Sequence, residues 1–239
     1  MDYKVLKEYY VQYLKNVRLA SDSTVNHYLG ALKTISGYLV EKDMLTESIY
    51  ELNEVSELLL IRDFLFSQDD FVEKDERGNR MYSAGLNNYV RFAEGSEFEK
   101  ATPSSIIQMD IEIPVGIKTE LKDEQWKRSG IIKKQSIEMA KYVCEINGAH
   151  ETFISAATGH QYMEGHHAIP INKQGMFDKS LDVYANIVCL CPICHRLMHY
   201  GRTEDKVNSL NQIYYKRADR LAKSGIKLSH EEFFNVVNS

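Results

Sequence analysis

The chain has 239 residues, of which 44% are hydrophobic and 26% charged, with only four prolines and thirteen glycines. That is apolar material for one large or two modest packed domains, and it speaks against a disordered tract. No apolar run approaches the ~20 residues that span a bilayer, and the opening Met-Asp-Tyr-Lys lacks the apolar core of a secretory leader, so the expectation is a cytoplasmic protein with no membrane partner.

The net charge of −5 would disfavour a nucleic-acid partner, but it is unevenly divided: residues 1–124 carry −9 and residues 125–239 carry +4. The basic half is where phosphates would be met, although ordinary solvated faces give the same tally.

In chain order, residues 3–17 place Val5, Tyr9, Tyr10, Tyr13 and Leu14 at helical spacing. Ser21-Asp-Ser-Thr offers N-cap residues for a second helix through Leu39, with Val25, Leu32, Ile35 and Leu39 on its apolar side. A third helix is expected over about 52–67 and a fourth over about 80–94, with Asp75-Glu-Arg-Gly-Asn as the turn between them. These make a helical domain over residues 1–95, whose many tyrosines read as rim-of-core packing rather than base-stacking platforms. Its role is open between recognition, dimerisation and scaffolding.

Residues 96–124 read as a linker, with Ile106–Val115 alternating as an extended strand would and Thr119-Glu-Leu-Lys-Asp-Glu as a helix start. Residues 125–239 form the second domain. It opens with a basic helical lead over 125–143, whose Lys127, Arg128, Lys133 and Lys134 are candidate DNA contacts. It closes with a helix over Asp205–Ala222 and a short one begun by Ser229-His-Glu-Glu, a capping-box start.

All four cysteines and six of the eight histidines fall between Cys144 and His199. In a reducing compartment such clustering points to metal rather than to disulfides. Cys191-Pro-Ile-Cys194 has zinc spacing, and the distant half of such a site would be Cys144 followed six positions on by His150. Tyr162-Met-Glu-Gly-His166-His167-Ala-Ile-Pro reads as a strand with paired histidines, and Ala185-Asn186-Ile-Val-Cys-Leu as a second strand. Pro192 opens a helix that puts His195 and His199 on one face.

The order strand, loop, strand, helix, with His166-His167, Asn186, Cys194-His195 and His199 in register, resembles the HNH or ββα-metal nucleases, in their zinc-bearing, restriction-type branch. The resemblance covers about residues 130–202. It implies an α+β fold, with an N-terminal helical domain followed by a zinc-stabilised ββα-metal module and flanking helices. It also implies an endonuclease that hydrolyses double-stranded DNA with a divalent cation, Mg²⁺ or another. His167 would be the general base, His166, His195 and His199 would hold the catalytic ion, and Asn186 would pin the loop between the strands and hold the His167 carbonyl.

Adjacent strand residues point to opposite faces, so His166 and His167 meet at one site only if the strand frays, which Gly165 would permit. Cys144, His150, Cys191 and Cys194 would take a structural zinc. Many relatives have a second cysteine where Asn147 stands, which leaves the fourth ligand open between His150 and Cys189. Glu164 is either a carboxylate behind the ion ligands, an extra ligand, or an exposed strand residue. A restriction role, with two chains cutting the two strands, is the expectation; a low-specificity nuclease and a zinc module without chemistry are the alternatives.

Overall fold

The computed structural model describes residues 5–115, 126 and 128–238. The expected helix start at Thr119 and the basic residue Lys127 lie outside the described residues. The chain divides into two compact units, residues 1–100 with Ser129–Ile131, and residues 101–128 with 132–239.

The first unit is helical: α1 (Val5–Gln12), α2 (Asp22–Glu41), α3 (Val55–Phe66), α4 (Asp69–Arg77) and α5 (Met81–Ala93). Helix α1 runs into a π turn over Tyr13–Val17. Ser21 caps α2 through the Thr24 N–H, as its position suggests. Helix α5 lies along α2, and an added Cβ at Gly85 would meet the Ala31 Cβ at 2.8 Å, so glycine permits the close approach.

The tyrosines lie deeper than the rim. Tyr9, Tyr10, Tyr13 and Tyr89 are fully buried with Phe92 and Phe98. Tyr10 and Tyr89 meet edge to face at 5.0 Å, and the Tyr10 hydroxyl donates to Asn88 Oδ1 at 2.7 Å. Burying each such ring contributes on the order of 2–3 kcal/mol.

Asp75 does not sit in a turn; it closes α4, a helix missing from the expectation because only Phe71 and Asp75 are buried on it. Asp69 and Asp70 suit its positive N-terminus. The Asp75 carboxylate accepts the Ser83 N–H at 2.9 Å, which caps the next helix, α5, whose own N-cap residue Arg80 offers no side-chain bond.

In the second unit, the alternating stretch is helical where a strand was expected: α6 (Pro103–Gln108) takes up Ile106, Ile107 and Gln108. Thr102 accepts the Ser105 N–H, and Pro103 stands at the first helical position, a start signal that outweighs the alternation. Only the end of the stretch is extended, where Pro114 bridges Lys179 and Ile113 O accepts the Ser180 N–H. Helix α7 (Gly130–Met139) follows.

The strands β1 (Glu164–His167) and β2 (Ile187–Leu190) pair antiparallel, with Glu164 opposite Leu190 and His167 opposite Ile187. Helix α8 (Pro192–Tyr200) then returns across both strands, followed by α9 (Thr203–Lys223) and α10 (His230–Asn238). Ser229 and Glu232 form the reciprocal capping box at the start of α10. The whole is α+β, helical first and ββα after, as the motif order implies.

Candidate metal centres

Among the described residues, two groups of potential ligands gather on the ββα element. The first comprises Cys144, His150, Cys191 and Cys194, with one ligand atom from each within 4.8 Å of the others. Cys191 is the N-cap of α8, and its sulfur accepts the Cys194 N–H at 3.5 Å, so the helix start itself folds the C-x-x-C into a claw. His150 Nδ1 lies 3.4 Å from the Cys191 sulfur and 3.3 Å from that of Cys194. A tetrahedral zinc with ordinary bond lengths sets a sulfur–nitrogen edge of about 3.5 Å.

Two of the thiols are perturbed in opposite directions. Burial opposes ionisation of Cys144, but the backbone N–H groups of Asn147, Cys191 and Ile146 and the His150 ring outweigh it and bring the thiol down to about 7. Burial and the neighbouring sulfurs push Cys194 the other way. Thiolates this close repel unless a dication lies between them.

Cys189 is outside this group. It is fully buried on β2, opposite Gly165, and burial raises its thiol far above the ordinary range. Its backbone does the fastening instead: Glu145 N–H donates to Cys189 O, and Cys189 N–H donates to Glu145 Oε1, both at 2.8 Å. Arg217, 5% exposed, donates to both Glu145 oxygens at 2.5 and 2.7 Å and to Tyr184 O. The loop that carries Cys144 is thus tied to β2 and to α9.

The second group comprises His166, His195 and His199, again with ligand atoms within 4.8 Å. The rings meet edge to face, with centroids 4.7 to 5.2 Å apart. His195 Nε2 and His199 Nε2 are 3.2 Å apart, close to the ~3.4 Å edge expected of two nitrogens on one tetrahedral ion. The i, i+4 spacing on α8 brings those two together, and the strand supplies the third. Burial, then the cationic forms of His199 and His195, hold His166 down to about 3, so at neutral pH it offers a lone pair.

Glu164, two positions before His166 on β1, accepts from His195 Nδ1, which leaves Nε2 for an ion. Glu164 is therefore not an idle strand residue. His199 is held down by burial and by His195, Lys206, Arg196 and Arg128. That surrounding charge suits a phosphate. Arg196 on α8 and Lys206 on α9 are not among the residue types that the motif specifies.

His167 ends the strand. The ladder is regular from Glu164 to His167, so the fraying that would bring both histidines to one face is not present. His166 faces His195 and His199, and His167 Nε2 instead meets Asp182 Oδ1 at 2.9 Å.

Asn186 is fully buried: its Oδ1 accepts the Ile169 N–H, and its Nδ2 donates to Ile169 O and Leu181 O. The His167 carbonyl is not among these partners. Of the basic residues expected at DNA, Arg128 and Lys133 are exposed and Lys134 is half-buried. An added Cβ at Gly165 would lie 2.5 Å from Lys133 Cγ, so the lysine stem packs against the strand at Gly165, on the face away from His166. His160 is exposed, stacked on Tyr142 at 4.3 Å, and belongs to neither group.

The chain is 29% identical over 124 residues to the Type IV methyl-directed restriction enzyme EcoKMcrA of Escherichia coli (strain K12). The match covers 50% of this chain and 42% of that relative, so the chain spans less than half its length. The family model for HNH endonucleases matches residues 143–201, the span that holds both ligand groups, β1, β2 and α8. The chain carries an HNH endonuclease domain at residues 143–201.

Proposed function

We propose that the protein is a divalent-metal-dependent endonuclease that hydrolyses phosphodiester bonds of double-stranded DNA, as a restriction enzyme acting in the cytoplasm. The observation that carries this reading is the trio His166, His195 and His199, ringed by Arg128, Arg196 and Lys206 and adjoining His167. An all-imidazole set suits a transition ion and accepts Mg²⁺ with solvent completing its shell. When bound, the ion would supply charge stabilisation to the phosphate and to the departing 3′ oxygen.

The chain's own groups do the rest. His166, His195 and His199 hold the ion and Glu164 fixes the His195 ring. The basic residues meet the flanking phosphates. His167 takes the proton from the attacking water, and the product carries a 5′ phosphate. His166 and His167 leave opposite faces of β1, so base and ion meet one phosphate around the end of the strand, where His167 stands last. Cys144, His150, Cys191 and Cys194 hold a structural zinc that ties the Cys144 loop to the start of α8, beside the apolar core of Ile187, Val188 and Leu190. Two chains together would cut both strands, with residues 1–95 serving recognition, dimer contacts or scaffolding.

The relative's methyl-directed restriction makes methylated DNA the first substrate to offer. The test is cleavage of methylated and unmodified plasmid with added Mg²⁺ or Mn²⁺, against chelator and His167→Ala controls. Metal-dependent cutting that His167→Ala abolishes, with DNA binding retained, supports the reading. Cutting by the purified variant at the wild-type rate overturns it.

A further inference from the structure

From the loop between the strands, we infer that Asp182 is the positioning residue for His167, and that Asn186 acts on the base through it. The inference rests on the nuclease reading for its consequence and on geometry for its substance.

Asp182 is 8% exposed, and its Oδ1 lies 2.9 Å from His167 Nε2. A carboxylate only accepts, so the ring must present Nε2–H to it. The proton is then fixed on Nε2 and the lone pair on Nδ1, the nitrogen left for water.

The loop is built to hold that carboxylate still. The preceding residue, Leu181, is clamped on both sides: its N–H donates to Gln174 Oε1 at 2.7 Å, and its carbonyl accepts from Asn186 Nδ2 at 2.9 Å. Gln174 also donates to Lys179 O at 2.7 Å, and Ser180 Oγ accepts the Asp182 N–H at 3.1 Å. Gln174 and Asn186 are both buried, so neither trades these bonds for water. Asn186, whose side chain has no bond to the His167 carbonyl, thereby controls the base from one residue further along the loop.

In the step itself, a water O–H bond breaks and its proton passes to His167 Nδ1. The oxygen bonds to phosphorus as the bond from phosphorus to the 3′ oxygen breaks. The imidazolium that results faces the Asp182 carboxylate, which stabilises it without taking the proton, as carboxylate–histidine pairs do elsewhere.

The test is a double-mutant cycle of Asp182→Ala and His167→Ala on full-length protein, with the tautomer read separately from ring ¹⁵N shifts of labelled histidine. Asp182→Ala is expected to lower kcat by ~100-fold or more with little change in KM. Asp182→Asn, which keeps an acceptor oxygen and the side-chain shape, should lose less. In the His167→Ala background, Asp182→Ala should change the residual rate by less than about twofold. The ¹⁵N shifts should place the His167 proton on Nε2 in the wild type and mix the tautomers in Asp182→Ala.

Equal fold-losses in both backgrounds would assign Asp182 a purely structural role and overturn the inference, as would a wild-type His167 protonated on Nδ1 alone. If the wild-type chain cuts no DNA with any divalent ion, the nuclease reading fails, and the ring shifts still decide the pairing.

Discussion

The two ligand groups sit on the same helix yet differ in kind. The group of Cys144, His150, Cys191 and Cys194 offers four protein ligands, and its three cysteines are buried. The group of His166, His195 and His199 offers three, and its last member is exposed. Four ligands close a tetrahedron; three leave positions for solvent and substrate. The difference teaches that one helix can present a closed ligand set in its first turn and an open one in its next two. Wherever the two groups respond differently to the same perturbation, that division is under test.

The largest contrast should come from removing a sulfur. Cys191→Ser is expected to lose zinc and, with it, folding of the module, since a structural zinc contributes on the order of 10 kcal/mol. His199→Ala should leave zinc and fold intact. Elemental analysis and circular dichroism of both variants check this; a folded, zinc-free Cys191→Ser protein would collapse the distinction.

Next is Arg217→Ala, which removes the buried partner of the half-buried Glu145 carboxylate behind the Cys144 loop. Breaking such a pair costs about 3–5 kcal/mol, visible in urea unfolding. It should weaken the thiolate end and leave the affinity of the trio for Mn²⁺ unchanged.

Acid separates the groups by a different route. With metal removed, His166 has a folded pKa of about 3 against an ordinary 6.5. Between those values the unfolded chain binds a proton that the folded chain refuses. Stability is therefore full above pH 6.5 and falls as pH drops toward 3. From pH 6.5 to 4.5 this one group should remove on the order of 2–3 kcal/mol. The same pair of measurements on chelated His166→Asn should lack that increment of slope.

A finer lever is Glu164→Gln, which keeps the shape beside His195 but removes the charge. Loss of such a partner typically weakens metal affinity by ~10–100-fold. Titration of Mn²⁺ should show the change at the trio and none in zinc content.

The smallest expected effect is Cys189→Ala: zinc retained, and about 1 kcal/mol lost from a buried packing site. Loss of zinc there would instead make Cys189 a ligand and redraw the first group.

What could be read from the sequence follows the range of the interaction. The C-x-x-C and the His195–His199 pair are local spacings on a helix start, and helix geometry alone brings them together. His150 was reachable because a zinc site demands a fourth ligand near Cys144. Asp182 meets His167 across a loop, and no periodicity links them. Ile106–Ile107 looked extended because alternation ignores the cap at Thr102, and α4 was hidden because one aromatic is nearly all it buries. The tyrosines Tyr9, Tyr10 and Tyr13 sit in the core because helix packing surrounds them on all sides, which one helix's pattern does not reveal.

The segment from Asn186 to His199 carries the loop clamp, two thiolates and two imidazoles on a single uninterrupted strand–helix run. Inserting one residue between Cys194 and His195 would turn both histidines by about 100° around the helix axis while the thiolate claw stayed in place. An insertion in the exposed loop over residues 153–160 would leave both ligand groups in place, whereas one between Asn186 and His199 would take the two histidines off the thiolate claw's register.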